Sequence, residues 1–471
     1  MKVHVLSLGC ARTLVDSEGL AGILSEAGHT ITDEIAQAEC VVVNTCAFIR
    51  EAEEESIATI LEVADLKRTG RLRRLYVAGC LPQKRRKEQG DLVTLLPEVD
   101  GFLGPGDLTQ LPELMESDRK RFFVTSPVPT LLFGSLTPRH RLTPRHFAYL
   151  KISEGCDHAC SFCSIPQFRG AHRSRCLEDL VEDARRLAAD GVVELNLVGQ
   201  DTSYYGADLY GKPRLPKLLE QLSPVQGIRW IRLLYAHPAH VTQELIQVMR
   251  DLPNVVKYID IPLQHINDQL LSSMRRETNG ASIRRLIERF RKEIPGVAIR
   301  TTFIVGFPGE TEAHVEELAE FLKEARFERL GIFPYSPEPK TPAQNLSNQI
   351  PEKIKRERFN RLMQLQQEIA EELNRQWMGR ELEVLIDEKD SDPMVTLGRS
   401  YADAPEVDGQ VFVKSKRALT PGEFVRARVV DTYEYDLVAE AIASAPRREL
   451  KVPSGSTLLE EVGDDLPHQL P

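Results

Sequence analysis

Glu154-Gly155-Cys156-Asp157-His158-Ala159-Cys160-Ser161-Phe162-Cys163-Ser164-Ile165-Pro166 is the stretch on which the reading of this chain turns. It follows a predicted strand at residues 149–153 and so reads as a loop. Its three cysteines, spaced by four and three residues, come together within eight positions. Such a loop can wrap one corner of an iron–sulfur cubane, each thiolate taking one iron. Three protein ligands for four irons leave one iron open to chemistry. A zinc knuckle would need a fourth ligand, and His158 is the one at hand, cramped between Cys156 and Cys160. Inert buried thiols sit badly with Asp157, His158 and Ser161 interleaved among them.

Upstream, residues 1–116 alternate strand and helix. Strands are predicted at 2–8, 40–44 and 75–78, with helices at 15–27, at 50–66 and after Pro82. This rhythm implies a parallel, doubly wound sheet. Cys10, Cys46 and Cys80 each fall just past a predicted strand end, 36 and 34 residues apart. Ligands of an open parallel sheet gather outside the carboxyl ends of its strands, so these three can converge on a second metal centre. The alternative is three buried thiols, since free cysteine is among the most buried residue types. Gly9 and Gly79, beside Cys10 and Cys80, permit a close backbone approach. Cys40, inside a strand, and Cys176, outside both triplets, read as core thiols.

Residues 117–147 read as a proline-rich linker in which Leu-Thr-Pro-Arg-His occurs twice, at 136–140 and 142–146. The βα rhythm resumes over 148–350. Six strands are predicted there, at 149–153, 193–198, 230–234, 257–261, 298–305 and 329–333. Six units make a partial (β/α)6 barrel, whose chemistry belongs at the carboxyl ends of the strands. The cysteine loop lies at that face, joined by Gln200, Asp201, His237, Gln264, His265, the run Gly306-Phe307-Pro308-Gly309-Glu310, and Tyr335. A charged helical connector (351–378) leads to short alternating strands over 379–441, a small antiparallel β-barrel. Residues 442–471 read as a poorly packed tail.

A hydrophobic fraction of 42% and a mean hydropathy of −0.28 fit a soluble globular chain of several domains. Residues 1–9 are too short and too alternating for a signal peptide, and no apolar run is long enough to span a membrane. Eight clustered cysteines suggest metal ligation in a reducing cytoplasm, not a disulfide scaffold. A net charge of −10 speaks against a nucleic-acid partner and for a basic one.

Cys156-x3-Cys160-x2-Cys163, with Phe162 before the third cysteine, resembles the signature of radical S-adenosylmethionine (SAM) enzymes. The three-part architecture as a whole resembles the methylthiotransferases, whose last domain is a TRAM barrel. Ser7-Leu8-Gly9-Cys10, Val15-Asp16-Ser17-Glu18, Val198-Gly199-Gln200-Asp201-Thr202 and Tyr258-Ile259-Asp260-Ile261-Pro262-Leu263-Gln264-His265 resemble the RimO-type branch. That branch modifies the β-carbon of an aspartate in ribosomal protein uS12. The tRNA-modifying, MiaB-type branch would carry Gln-Asn where Gln200-Asp201 stand. Thr13 departs from both, which have Asn there. The resemblance implies SAM and two [4Fe-4S] clusters. Cys156, Cys160 and Cys163 would hold the SAM-cleaving one, and Cys10, Cys46 and Cys80 the sulfur-inserting one. It further implies Phe162, Gly306 and Glu310 at the SAM pocket and a need for an electron donor. A two-cluster electron carrier or an RNA-binding scaffold is the rival class, but a carrier would ligate each cluster with four cysteines. Residues 379–441 hold fourteen acidic against eight basic side chains, a balance that suits a basic protein partner better than tRNA, so nucleic-acid contact is not required.

Overall fold

In the computed structural model the described residues are 1–117, 121–390, 392 and 394–442. The reading of a loose tail falls, from residue 443 on, outside them. The first sheet is built around Cys40–Thr45, whose six residues are all buried, as a strand covered on both faces must be. Alternate side chains serve opposite faces. Val41 and Val43 pack with Ile60 and Val63 of helix Arg50–Arg68. Cys40 and Val42 pack with Leu20, Ala21 and Leu24 of helix Ala11–Glu26. That two-sided burial is the physical content of the doubly wound arrangement. All pairings are parallel, in the order Thr30–Ile31, Lys2–Ser7, Cys40–Thr45, Arg74–Gly79, Gly101–Leu103, Phe122–Val124.

The last of these strands extends the sheet into the stretch read as linker. Three residues are too few for a period-two signal, and the pairing depends on Gly101, where a Cβ would sit 2.2 Å from the Phe122 ring. The doubled Leu-Thr-Pro-Arg-His is a packed strap. Buried Glu18 accepts from Arg139 Nε and from the backbone N–H groups of Leu142 and Thr143. The second copy ends at His146, whose Nε2 lies 2.8 Å from Asp387 of the C-terminal barrel. The first copy therefore ties the strap to the first domain through Arg139, and the second copy ties it to both that domain and the barrel.

The central sheet has six parallel strands in sequence order: Phe147–Lys151, Glu194–Val198, Trp230–Leu233, Val255–Asp260, Ala298–Val305 and Arg329–Pro334. Its edges do not meet, so the barrel is partial. The first strand starts two residues earlier than expected, because Phe147 and Tyr149 pack in one cluster with Trp230 and Tyr258. After helix Glu352–Arg375 comes a closed five-stranded barrel. Four of its pairings are antiparallel, but Val411–Lys414 runs parallel to Leu437–Ala441, a correction to the all-antiparallel expectation. This barrel docks on the amino ends of the central strands, through Arg399 to Glu194 (2.7 Å), Arg329 to Asp403, and Phe424 edge-on to Trp230. The carboxyl ends stay free for the cysteine loop.

Candidate active site

The first cysteine loop is shaped by its neighbours in sequence. Gly155 has φ of +80°, and a Cβ there would fall 2.0 Å from the Ala171 carbonyl oxygen, so only glycine lets the chain turn into the loop. The interleaved polar residues lace it down. Asp157 accepts from the His172 backbone N–H (2.9 Å), and the Ser161 hydroxyl donates to the Ser273 carbonyl (2.7 Å). Helix Ile165–Arg169 follows immediately.

Cys10 precedes helix Ala11–Glu26, Cys46 follows strand Cys40–Thr45, and Cys80 begins helix Cys80–Lys84, two residues before the start read from Pro82. The register sets Thr45 beside Gly79. Gly9, at φ +94°, lies so close to Cys46 that a Cβ would sit 2.6 Å from its Cβ and 3.1 Å from its Sγ. The glycines thus admit neighbouring cysteine and strand atoms. Cys40 is buried, as expected. Cys176 is exposed at the start of helix Leu177–Ala189, which corrects the core-thiol reading.

Arginines stand against the sulfurs. Arg12 Nε donates to Cys10 Sγ (3.3 Å), Arg169 Nη2 to Cys80 Sγ (3.1 Å), and Arg276 Nη1 to Cys160 Sγ (3.5 Å). Burial alone would raise the Cys10 thiol, but the charge and hydrogen bond of Arg12, helped by Thr13 and Arg169, bring it down to about 6. Burial pushes Cys46 and Cys163 up to about 12 and Cys156 to about 11.

Two sulfurs on one zinc lie at most about 4.6 Å apart, twice the Zn–S distance. Among the described residues, the only group with three or more ligand atoms mutually within 4.8 Å is His158, Asp201, His237 and His240. Each cysteine triad is spread wider than one zinc could hold. A polynuclear cluster takes its sulfurs at separate corners and does not need them that close, and the arginines would offset its charge. The His/Asp group does not suit an ion either. The His158 and His237 rings are stacked 4.3 Å apart at 16°, so their in-plane lone pairs cannot meet at one point. Instead Asp201 Oδ2 accepts from His158 Nε2 and His240 Nδ1, each at 2.8 Å. The His237 ring is kept neutral, first by burial and then by Arg276, with its pKa lowered to about 2.

The two triads are joined by a buried quartet. Lys151 reaches Asp16 and Glu154, and Arg169 Nη1 reaches the same two carboxylates at 2.7 and 3.1 Å. Above it opens a cavity of about 180 Å³. Cys156, Cys160, Cys163, His158, Phe162 and Arg276 of the central domain line it together with Arg12 and Phe48 of the first domain, and so do Gln200, Tyr235, His237 and Gln264. Tyr235 and Gln264 hold left-handed backbones, φ +60° and +75°, strain of the kind that collects at functional sites.

The structure thus gathers Phe162, Gln200, His237 and Gln264 with the cysteine loop. Gly306 and Glu310 lie outside the cavity lining: Glu310 accepts from the Gly306 N–H (2.9 Å) and pairs with Arg358 (2.7 Å). His265 is buried and Tyr335 packs on Phe307, both away from the lining. Sequence reasoning missed Arg12, Arg169, Tyr235, His240 and Arg276. Their only local signal is a cation or aromatic side chain near a strand end or a cysteine.

Residues 2–104 match the Uncharacterized protein family UPF0004, 150–322 the Radical SAM superfamily, and 378–442 the TRAM domain. A protein of Heliobacterium modesticaldum described as ribosomal protein uS12 methylthiotransferase RimO is 47% identical, over 94% of this chain and 95% of its own. Relatives described alike come from Anaeromyxobacter sp. strain K (47%, 95% and 94%) and Geobacter sulfurreducens (44%, 94% and 99%). Among solved structures, the radical S-adenosylmethionine methyltransferase TsrM of Kitasatospora setae, with tryptophan and a SAM analogue bound, shares the fold. Its TM-score is 0.52 at 16% identity, over 86% of this chain and 80% of that one.

Proposed function

This chain belongs to the RimO family of ribosomal protein uS12 methylthiotransferases, and we propose that its two cysteine triads divide that activity between them. It is a radical SAM transferase whose cofactors are two [4Fe-4S] clusters and SAM. When bound, these supply the radical that removes a hydrogen from the aspartate β-carbon, and the methylthio group that replaces it. We assign Cys156, Cys160 and Cys163 to the cluster that binds SAM, and Cys10, Cys46 and Cys80 to the one that serves sulfur insertion. Phe162, Gly306 and Glu310 are assigned to SAM binding, Phe162 from within the cavity lining and the other two from outside it.

The observation that carries this reading is the cavity lined by all three cysteines of the first triad and by Arg12, whose Nε is on Cys10 of the second. Its residues have separable tasks. Phe48, Phe162, Ile165, Ala236 and Pro262 exclude water. Neutral His237 adds no charge, while Arg12 and Arg276 brace the Cys10 and Cys160 sulfurs.

The C-terminal barrel supports a basic protein partner. Asp387, Asp403, Asp408 and Arg399 are consumed in pairs at its inner face. Eleven acidic and seven basic side chains remain, so an acidic excess persists. The uS12 chain docks there in this reading, steered by charge, with no nucleic-acid contact required. An external electron donor supplies the reducing equivalents. No described helix is long and apolar enough to cross a membrane, and we place the enzyme in the cytoplasm, where thiols stay reduced.

Mass spectrometry of uS12 from cells with and without this gene tests the reaction, a gene-dependent methylthio adduct being expected. Iron analysis tests the assignment. The reconstituted protein should hold about eight irons, and Ala at either triad should leave about four. Ala at Cys156, Cys160 and Cys163 should also abolish SAM cleavage, whereas Ala at Cys10, Cys46 and Cys80 should spare it. One zinc per chain and no iron would overturn it.

A further inference from the structure

The substrate atom that reacts is a β-carbon one bond from a carboxylate. Bringing that carboxylate out of water into the cavity costs several kcal/mol unless a cation meets it. Most nearby cations are spent. Lys151 and Arg169 are held by Asp16 and Glu154. The His158 and His240 rings both point at Asp201, and His237 is neutral. Two cavity-lining guanidinium groups remain. Arg276 belongs to the SAM side, with Nη1 on Cys160 and Nη2 on the Pro262 carbonyl (2.9 Å). Arg12 lines the same cavity beside Cys10 of the second triad. Its Nε is on Cys10 and its Nη1 on the Gly199 carbonyl (3.2 Å), while Nη2 has no partner among the described residues. The guanidinium carbon lies over the Tyr235 ring, 4.6 Å from its centroid, a cation–π contact that helps hold it in place. That leaves Nη2 and the second N–H of Nη1 as donors for a planar anion, and arginine binds carboxylate through two parallel hydrogen bonds of this kind.

We propose that Arg12 binds the side-chain carboxylate of the uS12 aspartate and so sets its β-carbon between the two triads. This rests on the function proposed above and adds to it the residue that recognises the substrate group. Arg12 also touches Cys10, so lost turnover in a variant would not separate the two roles. A double-mutant cycle on binding does. Affinity of full-length uS12, and of uS12 with Asn at the modified position, is measured on reconstituted holoenzyme bearing Arg12, Arg12→Gln or Arg12→Lys. Iron content is checked for each.

The native enzyme should bind the Asp form about tenfold tighter than the Asn form, a difference of about 1.4 kcal/mol. Arg12→Gln should reduce this preference to within about twofold, and Arg12→Lys should keep part of it. Equal weakening of both ligands by Arg12→Gln would overturn the proposal, as would a native enzyme blind to Asp versus Asn. A preference lost in Arg276→Gln but kept in Arg12→Gln would assign the carboxylate to Arg276 and also overturn it. Should the native enzyme bind neither form, the substrate reading itself fails, a result distinct from all of these.

Discussion

Arg169→Met tests whether the buried quartet holds the first domain to the barrel. In the native protein Arg169, Asp16, Lys151 and Glu154 have side chains only 5, 7, 3 and 4% exposed, and their charges cancel. Methionine removes the contacts to Asp16 (2.7 Å), Glu154 (3.1 Å) and Cys80 (3.1 Å) while keeping most of the volume. Two carboxylates then share one lysine, and breaking a buried pair in this way costs about 3–5 kcal/mol. Adding Asp16→Asn restores a neutral cluster and should recover about 1–3 kcal/mol, so the two changes are non-additive. Burial would raise Glu154, but Lys151 and Arg169 override it and hold its pKa below the ordinary value. A depressed carboxylate stabilises the fold above its unfolded value of about 4.3, and that stability is lost as pH falls through the folded value. The gap between native and variant should therefore be full at pH 7 and shrink below about pH 4. Urea unfolding of iron-free protein, followed by fluorescence of Trp230 and Trp377 and by circular dichroism, reads the difference. A loss under about 1 kcal/mol, or additive losses in the double variant, would refute the reasoning.

In iron-free protein at pH 7, Cys10, with its thiol at about 6, should be roughly nine-tenths thiolate. Among the N-terminal triad it should alkylate first, with Cys46 and Cys80 far slower, and Arg12→Gln should slow it; peptide mapping after brief iodoacetamide treatment reads the order. Cys176→Ser should change neither iron content nor stability measurably, whereas Cys40→Ser should keep the iron but cost about 1–3 kcal/mol for an added buried hydroxyl, as thermal melts and iron assays would show. Gly155→Ala should be severe, since a Cβ would meet the Ala171 carbonyl oxygen at 2.0 Å; iron bound at the first triad should fall, and full loading would count against the loop geometry. Asp201→Asn should weaken the hold on His158 and His240 and lower stability by about 1.5–3 kcal/mol above pH 4, with no loss expected below the range where the native carboxylate titrates.

By itself the sequence was enough for the elements whose signal is local. Three β-branched valines in a row at Val41–Val43 read as a strand buried on both faces, and the cysteine spacing 156, 160, 163 reads as a tight loop. Strand–helix alternation then dictated which end of each sheet the six cysteines occupy, because a parallel crossover always returns to the same end. What remained open was every contact between residues far apart in the chain. Phe122–Val124 needed a glycine at 101 to accept a ring, and the doubled Leu-Thr-Pro-Arg-His needed Glu18 and Asp387, more than 100 and more than 200 residues away, to become a strap. Arg12, Arg169 and Arg276 read as ordinary surface cations until folding brings each to a sulfur and withdraws the water that would have solvated it. A charge declares its role only against the groups that replace its solvent, and those groups are chosen by tertiary packing.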